Sequence, residues 1–141
     1  IKIIRADKKA RTIYIILMVV LIAAALLLYR YWQGYYSDLT NLAEDHPEQA
    51  ITKLVSLIKV IIYVNPIITA GFMLYFIIIG TKTYRTEQFP PPGIKVIRDT
   101  KLSKGEKAKK YAVGLWFMAA VLLVFAILVT VLMNNFLRTI Y

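Results

Sequence analysis

The sequence predicts an all-α integral membrane protein: three transmembrane helices, N-terminus inside, C-terminus outside. The second helix is kinked at a proline, and a basic, Pro-Gly-containing cytoplasmic loop follows it. Three predominantly apolar runs, about residues 12–33, 54–80 and 111–134, each match the length that a hydrocarbon core of ~30 Å demands. The charges between them are sorted. Fourteen of the 18 Lys and Arg residues either precede the first run or lie between the second and third. Short segments rich in Lys and Arg stay cytoplasmic, so the loop 81–110 is expected inside. The loop 34–53, with Asp38, Glu44, Asp45 and Glu48 against Lys53 alone, is expected outside.

Residues 1–141 then form a single membrane domain, multi-pass in a bacterial-type inner (plasma) membrane. Neither loop reaches the ~50 residues of a conventional soluble core. The chain has no cysteine, which excludes disulfides, thiolate catalysis and cysteine-bound clusters. A single histidine, His46, removes bis-histidine haem and His-rich metal sites built within the chain. His46 reads as a surface or capping residue, its acidic neighbours specifying no cation site.

The first run, Ile13 to Leu28, carries Tyr14 as its one polar side chain. It exceeds the 7–15 apolar residues of a signal peptide. It ends in an aromatic cluster of Tyr29, Tyr31, Trp32, Tyr35 and Tyr36 around Arg30. Such amphipathic rings belong at the headgroup level, and Gly34 reads as the helix stop.

Asp45-His46-Pro47-Glu48 reads as a helix start, with a capping carboxylate, a proline in the first turn and an acid suited to the dipole. The second helix is therefore expected from Pro47 to Gly80, longer than the core is thick. Two polar features interrupt it. Lys59 lies among isoleucines and valines, where a cation must snorkel, pair or line water. Asn65-Pro66 lies deeper. Proline removes a backbone donor and bends the helix, and Asn65 has the donors to bond to a neighbouring helix.

The loop 81–110 contains Phe89-Pro90-Pro91-Pro92-Gly93, a stiff turn followed by a flexible point. Ile94-Lys95-Val96-Ile97-Arg98 then echoes the N-terminal Ile1-Lys2-Ile3-Ile4-Arg5. The echo suggests coincidence in an Ile- and Lys-rich chain, a short two-stranded ribbon, or two copies that bind one repeated partner surface. Ser103 with Glu106 reads as a capping box for the third helix, which Lys109 and Lys110 approach. That helix carries Ala112, Ala119 and Ala126 at seven-residue intervals, a small-residue stripe suited to close helix packing. Tyr111 and Trp116 mark its inner interface.

No phosphate-binding glycine loop, metal-protease motif, paired carboxylate or nucleophilic triad is present. The expected function is a non-catalytic accessory or structural subunit of a larger membrane complex, without cofactors. The candidate contacts with partner subunits or lipid are Lys59, Asn65, Pro66, Pro91, Gly93, Arg98, Lys109, Lys110 and the three stripe alanines. Expected partners are other integral membrane subunits and anionic lipids, or a second copy in a homo-oligomer. Nucleic acid is excluded because the aromatic residues sit apart from the basic ones. The alternatives are a small self-associating transporter or channel with Lys59 in its pathway, and an anchor or assembly factor recruiting an acidic soluble protein.

Overall fold

A computed structural model describes residues 2–140. Three helices dominate: α1 (Lys8–Asp45), α2 (Pro47–Thr86) and α3 (Glu106–Ile140). Each is long and apolar enough to cross a membrane. Four two-residue strands, β1 (Ile3–Ile4), β2 (Gln88–Phe89), β3 (Thr100–Lys101) and β4 (Ser103–Lys104), lie at one end.

α1 starts at Asp7, whose carboxylate accepts from the backbone N–H groups of Lys9 and Ala10. Gly34 does not stop it. A glycine in a helix interior costs only ~1 kcal/mol, and the turns beyond it bury Leu39 and Leu42 partly against α2. The expected loop over residues 34–53 is instead a helical hairpin with His46 as its whole connection. Proline disfavours helical geometry in the residue before it, so His46 takes φ −141° and ψ 77°. Pro47 then opens α2, as its position in the sequence suggests, but Asp45 ends α1 and does not cap α2.

α2 runs through Pro66 without a break and continues past Gly80 to Thr86. It ends at Glu87 in the left-handed region, φ 49°. α2 and α3 form the main helix pair, α1 meets α2 far less extensively, and close backbone contact between α1 and α3 is absent among the described residues. The α2–α3 seam follows the small residues. Ala108, Ala112, Ala119 and Ala126 are buried on α3; Thr69, Gly80 and Thr83 are buried on α2. At the hairpin end the seam becomes a larger apolar cluster of Val55, Ile58 and Leu137, flanked by Leu54, Ile62 and Met133.

α1 has no such seam. All of residues 11–34 are exposed. The helix is nonetheless fixed at both ends. Tyr35 Oη donates to the Lys53 carbonyl at 3.2 Å near the hairpin. At the other end, β1 pairs antiparallel with β3, Ile3 opposite Lys101 and Ile4 opposite Thr100.

Candidate functional site

The opposite end of the bundle from the hairpin carries fourteen Lys and Arg against Asp7, Glu87, Asp99 and Glu106, which accounts for the whole net charge of +10. It is folded, and three of its four acids, Asp7, Glu87 and Asp99, are the clamps. Asp7 Oδ2 lies 3.3 Å from Lys95 Nζ, and the Asp7 N–H donates to the Val96 carbonyl. Asp99 Oδ1 accepts from the Ala6 N–H at 2.7 Å. The backbone N–H of Ala10, aided by Lys95 and the N–H of Lys9, holds the Asp7 carboxyl below its ordinary value.

Glu87 joins the other two helices at this end. Its carbonyl accepts from the Gly105 N–H, and its carboxylate reaches Lys109 Nζ at 2.7 Å. That hydrogen bond is the main cause of a raised Lys109 pKa. β2 and β4 pair beside it, Gln88 opposite Lys104 and Phe89 opposite Ser103. Ser103 is therefore in a strand and is not the cap of α3. Gly105, at φ 62°, takes that position, its carbonyl accepting from the Lys109 N–H. Aromatic rings brace the junction: Phe89 stacks on Tyr111 at 4.7 Å between centroids, and Tyr84 lies 5.4 Å from Trp116.

The proline run packs inward. Pro91 is fully buried, and the Ile94 N–H donates back to its carbonyl. Pro92 and Gly93, the latter at φ 88°, occupy the central positions of that turn, where type II geometry favours proline followed by glycine. The segment beyond reaches across to the chain's start. The two echoed pentapeptides do not pair with each other along their length. Ile3 and Ile4 pair with Thr100 and Lys101, just past the second copy, because that copy bends at Ile97–Arg98. Ile1 of the first copy lies outside the described residues.

The candidate contact residues thus separate into three groups. Ala112, Ala119 and Ala126 face α2 within the chain, Pro91 is interior, and Lys109 is engaged by Glu87 and by the Tyr84 ring. These five face the chain itself and offer little to a partner. Lys59, Pro66, Gly93, Arg98 and Lys110 are exposed. Asn65 is half-buried and its Nδ2 has no acceptor, so the expected cross-helix hydrogen bond is not made within the chain. Beside it, Pro66, Thr69, Met73, Ala126 and Thr130 line an apolar cavity of about 260 Å³ between α2 and α3.

Lys59 and Gln33 each stand 13 residues from His46 along the antiparallel hairpin, so Lys59 is level with the aromatic cluster of α1. Lys59 and Lys82 enclose 22 uncharged residues of α2, a rise of about 33 Å against a core of ~30 Å. The cation therefore marks an edge of the apolar stretch. The length of that stretch is legible in the sequence; the helical hairpin adds that its Lys59 edge is level with the aromatic cluster of α1.

Two residues of this structure escaped the sequence reading. Asp7 was legible as a cap by its place before Lys8. Glu87 was not, since nothing in Thr86-Glu87-Gln88 announces a left-handed residue. Among the described residues no cluster of three His, Asp or Glu side chains gathers where a metal ion could sit. Comparison with known protein families, with curated proteins and with solved structures finds no match to this chain.

Proposed function

We propose that the chain is an accessory, non-catalytic subunit of a larger membrane complex. In this reading α1 supplies the surface for neighbouring subunits, and the basic end faces the cytoplasm, with both termini placed as the charge distribution predicts. The observation that carries it is the exposure of every residue from 11 to 34 on a helix fixed at both ends. A helix held away from its own bundle presents its full circumference to neighbours, and Ala23, Ala24 and Ala25 give it a place for close approach. The α3 stripe no longer supports the reading, because α2 occupies it.

The basic end supports the same assignment. Asp7, Glu87 and Asp99 are engaged in clamps, and among the described residues twelve of its fourteen cations have no acidic partner within ion-pair distance. A rigid cationic surface of this kind suits an acidic face of a partner or an anionic leaflet. The level of Lys59 beside the aromatic cluster favours snorkelling over a conduction pathway.

Mild-detergent purification followed by native mass spectrometry tests the proposal. The expected result is a stoichiometric complex with other integral membrane chains, lost when Ala24→Phe alters the α1 surface. A monodisperse lone monomer would overturn it.

A further inference from the structure

The face of α2 that receives α1 in the hairpin continues far beyond the point where α1 leaves it. Ala50, buried in the hairpin, and Ile68 are 18 residues apart, which is five full turns, so they share one stripe. Gly71, Phe72 and Tyr75 extend that stripe, and with Ile68 and Phe76 they line a shallow, open apolar hollow on the surface of α2 alone. Ile68, Gly71, Phe72 and Tyr75 are exposed. A Cβ at Gly71 would meet no atom within 4 Å, so the backbone there is bare.

Seven residues past Tyr75, two turns along the same stripe, stands Lys82. It is exposed and has no acidic partner among the described residues. The start of α1 brings Lys8, Lys9 and Arg11 to this end of the molecule, also exposed and unpaired. From Lys82 to Gly71 is 11 residues, about 17 Å along the helix, close to half of a ~30 Å hydrocarbon core.

We propose that this stripe is a binding site for one anionic phospholipid of the leaflet at the basic end. Its phosphate meets Lys82 and the α1 cations, and an acyl chain lies past Tyr75 and Phe72 into the hollow at Gly71. Three features converge on that occupant. The hollow continues the α1–α2 interface, so it is a face built for apolar cover. It leads directly to unpaired positive charge, which a packing helix does not require. Its depth is that of one leaflet, which a free phosphate would not use.

The test reconstitutes the full chain in vesicles of phosphatidylglycerol and phosphatidylcholine in equal parts, re-extracts it in mild detergent and weighs retained lipid by native mass spectrometry. Phosphatidylglycerol should be retained preferentially. Lys82→Gln should reduce that preference about fivefold, the equivalent of ~1 kcal/mol for one cation at an anionic surface. Gly71→Leu places a branched side chain in the hollow, starting from a Cβ that meets no atom within 4 Å. It should lower retention of either lipid about tenfold, as two methylenes lose burial at ~0.8 kcal/mol each. Gly114→Leu, at another open glycine on α3, should change nothing. Equal losses in Gly71→Leu and Gly114→Leu would mark ordinary boundary lipid and overturn the site. So would undiminished retention in Gly71→Leu, or release of a bound protein chain in place of lipid. Lipid retention is read on the isolated chain, so its failure is distinct from failure of the subunit reading, which partner masses decide.

Discussion

Gly80 of α2 lies against the indole edge of Trp116 on α3. A Cβ at position 80 would sit 2.8 Å from both Trp116 Cδ1 and Nε1, and 3.3 Å from the Ala112 carbonyl. The two helices approach this closely because neither Gly80 nor Ala112 carries bulk, the usual basis of tight helix pairing in lipid.

Gly80→Val should therefore displace the Trp116 ring and destabilise the α2–α3 pair by ~1–3 kcal/mol, the range for overpacking. Trp116 emission, read in a Trp32→Phe background, should shift as the ring moves. An unchanged spectrum and unchanged thermal stability would show that the close approach is not required.

Thr83 sits one turn further along α2, fully buried, and its Oγ1 has no hydrogen-bond partner. Thr83→Val keeps the shape and removes the orphan hydroxyl. It should raise stability by ~1 kcal/mol, since the unmet desolvation cost disappears. Thr83→Ala, which deletes the methyl group as well and leaves a void, should not give this gain. Thermal unfolding in detergent distinguishes the two; a loss on Thr83→Val would mean that the hydroxyl is satisfied.

Acidification should release the N-terminal strip before the helices respond. Asp7 is held below its ordinary carboxyl value of 3.8, chiefly by the Ala10 N–H. A lowered folded-state pKa gives stability that is present above the unfolded value and lost as pH falls through the folded one. The contribution is thus complete at neutral pH and disappears only below about pH 4. The protection factor of the Asp7 N–H, its exchange rate relative to the intrinsic rate at the same pH, should fall in that window, and in Asp7→Ala the amide at position 7 should be unprotected at every pH. A protected amide at position 7 in Asp7→Ala would refute the clamp.

Topology is open to direct labelling because the chain has no native cysteine. Cysteines introduced at Ser37 and Arg98, both exposed and at opposite ends of the bundle, should label from opposite sides of the membrane, Ser37 from outside. Labelling of both from one side would contradict the orientation proposed from the charge distribution.

Pro66 leaves a backbone carbonyl one turn earlier without its donor and crowds it with the ring. An experimental structure should show α2 bent there by more than ~20°, and Pro66→Ala should straighten it and reshape the cavity between Pro66 and Ala126. A straight wild-type helix through residues 64–68 would remove the premise.

The sequence by itself determined the three apolar helices, the start of α2 at Pro47 and the concentration of charge at one end, because each follows from local composition. Twenty apolar residues are helical in lipid whatever their neighbours, since their backbone groups have no other partner. Proline likewise acts on the residue beside it. Where the sequence reading failed, contacts between distant segments decided. Gly34 reads locally as a stop, yet the hairpin's apolar turns hold the helix through it. Ser103 reads locally as a cap, yet pairing with Phe89 places it in a strand. The alanine stripe was legible as a packing surface, but its partner was not: only the tertiary structure assigns it to α2 and leaves α1 uncovered. A stripe of small residues records that something approaches closely, and carries no information about which helix it is. Lys59 is similar: its neighbours in sequence are isoleucines and valines, while equal counting along the two arms of the hairpin sets it level with Gln33 and the aromatic cluster.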